Sequence, residues 1–239
     1  MRELSIVIIY DNLVYDPGLE PGFGFSCLVK LPERSILFDT GGDSSTLLYN
    51  MEQLGIKPQD ISTVVLSHAH GDHAGGLAGF LKKNSNVTVY VLASFPRGLK
   101  EGVKLYGARL EEVCNPVELF DNVFTTGELN IGTTEQSLIV KTDDGAAVIT
   151  GCAHPGVANI VQKAKEIIRD KVYLVLGGFH LGGEPASRIE SIIYSFKQLG
   201  VKKVMPCHCS GGKAQRLIRE RYGEDYIECG AGTKVTLGL

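Results

Sequence analysis

The chain has 239 residues, 44% hydrophobic and 21% charged, the balance of a globular protein able to bury a sizeable core. A net charge of −3 with no long run of either sign gives no bulk electrostatic case for binding nucleic acid. The first apolar run, residues 4–9, is too short for a signal peptide or a membrane span, so the expectation is a cytoplasmic protein whose six cysteines are free thiols.

Residues 4–9 read as a strand and 10–23 as a loop rich in Asp, Gly and Pro. Residues 25–30 and 35–38 form a hairpin closed at 31–34, and Asp39-Thr40-Gly41-Gly42 makes a turn at its end. Leu47, Leu48, Met51 and Leu54 have helical spacing, stopped by Gly55. Thr63-Val-Val-Leu66 is a short buried strand that empties into Ser67-His68-Ala69-His70-Gly71-Asp72-His73. A helix at 74–83 and a strand at 87–92 complete a β-α-β-α-β alternation.

Four metal-binding side chains thus fall within six residues, in a chain with six histidines in all. That concentration exceeds what chance surface polarity provides. Residues two apart on an extended exit face the same way, so His68 and His70 can address one ion. Gly71 permits a turn that aims Asp72 and His73 at a second. Imidazoles with one carboxylate suit zinc, iron, manganese, nickel or cobalt.

Residues 94–122 show no clean period, with short strands expected at 118–120, 123–125 and 129–131. Arg97, Lys100, Lys104 and Arg109 there form either a phosphate-binding rim or, for any one of them, an ordinary solvated face. A hairpin over 136–150, turning at 142–145, leads into Gly151-Cys152-Ala153-His154-Pro155-Gly156. Helix 157–168, a strand ending at Gly177-Gly178-Phe179-His180, helix 185–199, a strand ending at Pro206-Cys207-His208-Cys209, helix 213–222 and strands at 226–228 and 234–237 follow. With no linker, residues 1–239 read as a single α/β domain. His154, His180 and His208 all follow strands, where open α/β folds place their chemistry. Cys27, Cys114 and Cys229 read as core or near-core residues, and Cys207 and Cys209 as packing beside His208.

His-x-His-x-Asp-His after an apolar strand resembles the motif of the metallo-β-lactamase superfamily. Gly-Cys-Ala-His-Pro-Gly, Gly-Gly-Phe-His-Leu and Pro-Cys-His-Cys-Ser-Gly resemble a branch labelled after dihydropterin-ribofuranosyl-aminobenzene-phosphate synthase. The resemblance implies an αβ/βα four-layer sandwich of two mixed β-sheets flanked by helices. It implies two divalent transition-metal ions (Zn, Mn, Ni or Fe): His68 and His70 on the first, and Asp72, His73 and His208 on the second. Asp39 would orient these ligands without binding metal. The family's mid-chain histidine is missing between His73 and His154, and Cys152 stands where its bridging aspartate is expected. His154 is then either a replacement ligand or a supporting donor, and Cys152 either a thiolate ligand or a small packing residue. The branch's His-Gly-x-Ser reads Phe23-Gly24-Phe25-Ser26, which offers a ring to the substrate in place of a polar contact.

The activity implied is hydrolysis of a small phosphate ester or phosphodiester. Asp72 would orient or deprotonate the nucleophile, His180 would donate a proton (or serve as a third ligand), and Phe23 and Phe179 would touch substrate. An alternative is a metal-dependent synthase or lyase in pterin-type cofactor chemistry, with Phe23, Phe25, Tyr106 and Phe179 lining an aromatic pocket. A redox, sensor or non-catalytic metal-binding role is the third.

Overall fold

The computed structural model describes residues 3–239. In chain order the elements are β1 (Glu3–Tyr10), β2 (Ser26–Leu31), β3 (Arg34–Phe38), α1 (Ser44–Gln53), β4 (Thr63–Val65), α2 (Gly71–Ala74), α3 (Leu77–Lys83), β5 (Thr88–Leu92), α4 (Arg97–Leu105), β6 (Arg109–Val113), β7 (Val117–Phe120), β8 (Val123–Thr125), β9 (Leu138–Thr142), β10 (Gly145–Thr150), α5 (Val157–Ile168), β11 (Val172–Gly178), α6 (Ala186–Leu199), β12 (Lys203–Cys207), α7 (Gly212–Tyr222) and β13 (Lys234–Gly238). The chain divides into two compact units, the first running to Cys114 and taking in Gly230–Leu239, the second spanning Asn115–Cys229.

The first unit is built on the sheet β13-β1-β2-β3-β4-β5-β6. Its hairpin half is antiparallel, and β3 through β6 run parallel. β4, Thr63-Val64-Val65, is buried throughout, as a central parallel strand must be. Charged β6 lies at the sheet edge, where its polar residues meet water. Leu47 and Met51 of α1, Phe80 and Leu81 of α3 and Val103 of α4 pack with Leu37, Val64 and Val89 into one core. Helix α1 starts where Asp43 accepts the Thr46 amide at 2.8 Å.

The second unit carries the sheet β12-β11-β10-β9-β8-β7, antiparallel from β7 to β10 and parallel from β10 to β12. Val157, Ile160, Val161 and Ala164 of α5, Ile189 and Phe196 of α6 and Ile218 of α7 form its core with Val148, Val175 and Val204. Both sheets are therefore mixed and covered by amphipathic helices, the α/β architecture expected.

Five local expectations differ. Residues 129–131 are not a strand; Leu129 makes a lone bridge to Glu135. The helix expected over 74–83 is two pieces, α2 and α3, broken at Gly75-Gly76. The unreadable stretch holds α4 and β6. Residues 226–228 are not a strand; Tyr226 makes a lone bridge to Val204. Cys114, expected near the core, is exposed because it leaves the edge strand β6 for the surface. None of the six cysteines is in a disulfide. Among the described residues no helix is long and apolar enough to cross a membrane.

Candidate metal centre

In the first unit the parallel strands β3 and β4 end side by side, and their exits hold the His-x-His-x-Asp-His turn. Asp39, fully buried, organises it. Its Oδ1 accepts the Ser67 amide at 2.7 Å, and its Oδ2 accepts both the Ser67 hydroxyl and His73 Nδ1–H at 2.7 Å. Having donated its only proton to Asp39, Ser67 Oγ accepts from His68 Nδ1–H at 2.9 Å. One carboxylate thus sets both imidazole tautomers and leaves Nε2 of His68 and of His73 as the outward nitrogens. His68 Nε2 lies 3.1 Å from His70 Nδ1. His73 Nε2 lies 3.5 Å from Asp72 Oδ2. Burial by itself would lower the His73 pKa, but the Asp39 charge and hydrogen bond, with Asp72 behind them, raise it to about 10.

The turn is locked to the chain behind it by the Thr40 amide and hydroxyl, which both donate to the His73 carbonyl at 2.7 and 2.9 Å. Gly71 was expected to be the residue the turn requires. Its backbone is ordinary, and a Cβ there would meet nothing within 4 Å. The crowded positions are Gly75 and Gly76, where a Cβ would come 2.1 Å from the Gly42 and the Thr40 carbonyl oxygen respectively.

In the second unit the donors follow β10, β11 and β12. Cys152 Sγ stands 3.4 Å from His208 Nε2, both buried. The His154 and His180 rings lie 4.4 Å apart between centroids. Cys209 Sγ donates to the Cys152 carbonyl at 3.5 Å. The 151–154 loop is clasped by buried Glu135: Oε1 accepts the amides of Gly151, Cys152 and Ala153 at 2.9 to 3.1 Å, and Oε2 accepts that of His154 at 2.9 Å. Four amides solvate the charge that burial would otherwise penalise. Ala153, His180 and His208 adopt left-handed backbone, with φ of 61°, 52° and 45°. Such strain concentrates at functional sites.

Glu135 is the residue that the sequence reading missed. Its partners are backbone amides, which leave no side-chain pattern to read. Phe179 and Phe25, expected at the substrate, are buried and pack edge-on against Phe196 and Phe38 at 5.7 and 6.4 Å. Phe179 directly follows the buried end of β11 and Phe25 directly precedes the buried start of β2, so both rings fill cores. Phe23 is 69% exposed and Tyr106 36%, so these two present rings to solvent. The cationic rim is already committed: Arg97 pairs with Glu101, Lys100 with Glu112 and Arg109 with Glu111. These three cations read as a solvated, self-neutralised face.

The donor chemistry fits first-row divalent ions. Zinc–nitrogen distances of about 2.0–2.1 Å separate two imidazole nitrogens on a tetrahedral ion by about 3.3 Å; a thiolate and an imidazole stand about 3.5 Å apart. The His68/His70 pair in one unit and the Cys152/His208 pair in the other each come near that spacing; His68, Cys152 and His208 are buried and His70 is exposed.

Comparison with known proteins agrees. The family description "Metallo-beta-lactamase superfamily" matches residues 12–162. The chain is 31% identical over 87% of its length, and 88% of the relative's, to 7,8-dihydropterin-6-methyl-4-(beta-D-ribofuranosyl)-aminobenzene-5'-phosphate synthase of Methanocaldococcus jannaschii. A solved structure of a metal-dependent hydrolase of the beta-lactamase superfamily superposes with a TM-score of 0.85 at 30% identity, covering 99% of this chain and 100% of that one. The short form of human tRNase Z shares the fold at a TM-score of 0.67 and 13% identity, covering 98% of this chain and 100% of that one. With its hexad, its two mixed sheets and its full-length relatives, the chain belongs to the metallo-β-lactamase superfamily.

Proposed function

We propose that the protein is a metal-dependent hydrolase of a small phosphorylated molecule, a phosphate ester or phosphodiester, working with two divalent transition-metal ions. His68, His70 and His154 would hold one, and Asp72, His73 and His208 the other, with Cys152 joining as a thiolate. The ions would polarise the phosphoryl oxygen and lower the pKa of a coordinated water. The chain's own residues do the rest. Asp39, directly and through Ser67, keeps the Nδ1 protons of His73 and His68 in place, so that each Nε2 offers a lone pair. Asp72, one-fifth exposed beside His73, orients the attacking water and takes its proton. His180 supplies the leaving-group proton: the hydrogen bond to Cys209 raises its pKa against the opposing effect of burial. The observation that carries the reading is the facing pair of ring nitrogens, His68 Nε2 and His70 Nδ1, at 3.1 Å.

A second reading has one specific support, the 31% identity to a synthase whose product carries a ribofuranosyl 5'-phosphate. On it the same centre would assemble or cleave a pterin-type cofactor intermediate. The exposed rings of Phe23 and Tyr106 would then stack on the substrate.

The test is turnover of a panel of phosphomonoesters, phosphodiesters and pterin ribosyl phosphates, before and after chelation and after return of Mn²⁺, Ni²⁺ or Zn²⁺. Hydrolysis lost in chelator and restored by metal supports the first reading; turnover confined to the pterin phosphates supports the second. Full activity in protein verified to be metal-free contradicts both.

A further inference from the structure

The second unit carries a donor cluster that the proposed hydrolase uses only in part: Cys152 beside the second ion and His180 as proton donor, with no task for Cys209. One ligand atom each from Cys152, His180 and Cys209 lie within 4.8 Å of one another. The three residues come from three loops, after β10, β11 and β12. Their convergence has a steric condition at Gly178: a Cβ there would stand 2.7 Å from Cys209 Sγ and 3.1 Å from Cys152 Cα. It also has a conformational cost, paid in the left-handed backbone of Ala153 and His180. Cys152 is buried, Cys209 half-buried and His180 exposed, so the cluster has a closed floor and an open mouth.

The chemistry of this cluster differs from that of the hexad. The hexad offers imidazoles and a carboxylate; this cluster offers two sulfurs and one imidazole and no oxygen. Thiolate-rich sets select soft ions, Cu⁺ foremost among biological ones, and trigonal coordination needs only three donors. We propose that Cys152, His180 and Cys209 form a separate site for a soft, thiophilic metal ion, with Cys152 able to share its sulfur with the neighbouring His208. Binding releases whatever protons the two thiols and the His180 ligand nitrogen carry and involves no electron transfer. On the hydrolase reading, an ion here would compete for the Cys152 thiolate and take the His180 nitrogen out of proton transfer; only these consequences depend on that reading.

The probe is Cu⁺ itself. The full chain, with the metal it retains on purification, is titrated anaerobically with Cu⁺ against a chromophoric Cu⁺ chelator, and copper is counted after desalting. Cys209→Ser and His180→Asn are run beside it; asparagine tolerates the left-handed backbone at 180, so that variant keeps the loop. The expected result is one more retained copper in the parent than in either variant, or at least a tenfold weaker competition by the variants, with equal thermal melting and unchanged zinc or manganese content. Equal copper retention by the parent and a folded His180→Asn variant overturns the site. The hexad's own metal content is read in the same samples, so failure of this site and failure of the dinuclear reading are told apart.

Discussion

The two units solve the same problem, holding imidazoles still, by different means. In the first, four donors sit in one continuous turn, and a single buried carboxylate reaches their side chains: Asp39 holds His73 directly and His68 through Ser67. In the second, the donors are scattered over three loops, and the buried carboxylate grips backbone: Glu135 takes four consecutive amides and fixes the loop that carries Cys152 and His154. A clustered ligand set needs its tautomers fixed. A dispersed one needs its loops fixed first; Ala153, His180 and His208 there sit in left-handed backbone, as Asp39 does behind the turn of the first unit. The contrast predicts that losing the first carboxylate damages metal affinity most, and losing the second damages stability most.

Asp39→Asn should produce the largest effect. Asparagine tolerates the φ of 58° at that position, so backbone strain is unchanged, while the charge and one acceptor oxygen are lost. Metal affinity should fall by about 10- to 100-fold, as expected for the loss of a carboxylate behind a liganding histidine. Isothermal titration of the chelator-stripped variant with Zn²⁺ measures this, and an unchanged affinity would remove Asp39 from its role. Glu135→Gln comes next. Its amide nitrogen cannot accept, so at least one of the four buried amides loses its partner, costing about 1–3 kcal/mol. For a chain of this size that lowers the melting temperature by about 2–4 °C per kcal/mol. A variant melting with the parent would show that the loop holds itself.

Much of this was legible in the sequence for a physical reason. A contiguous hexad announces its chemistry through spacing alone, and strand β4 and the 138–150 hairpin announce their burial. Helix α4 was hidden because Gly98 and Gly102 depress its propensity, and the charged edge strand β6 looks like loop. Glu135 was hidden because a carboxylate that binds amides looks like any surface glutamate until the fold brings the loop to it. Phe179 was misplaced because its neighbour His180 is exposed, while its own ring turns to the core.

A smaller effect follows from His73. Its folded-state pKa is raised from 6.5 to about 10, so in stripped protein the protonated ring stabilises the fold fully below pH 6.5, and that contribution is lost as pH rises through about 10. An ion on Nε2, as proposed, would replace that proton. Stripped protein should therefore lose melting temperature between pH 6.5 and 10 more steeply than loaded protein; parallel profiles would show that His73 does not hold the ion. The smallest effect belongs to Arg97→Ala. Its side chain is 91% exposed and already paired with Glu101, so stability should move by less than about 0.5 kcal/mol and KM for phosphorylated substrates should not change. A several-fold rise in KM would restore the cationic rim.

The most direct measurement is equilibrium dialysis of chelator-stripped protein against Zn²⁺ or Mn²⁺, with bound metal counted by elemental analysis. The account predicts uptake of about two ions per chain, as two-metal centres of this ligand chemistry hold, and a loss of bound metal in His68→Ala. A folded protein that retains neither ion would contradict it.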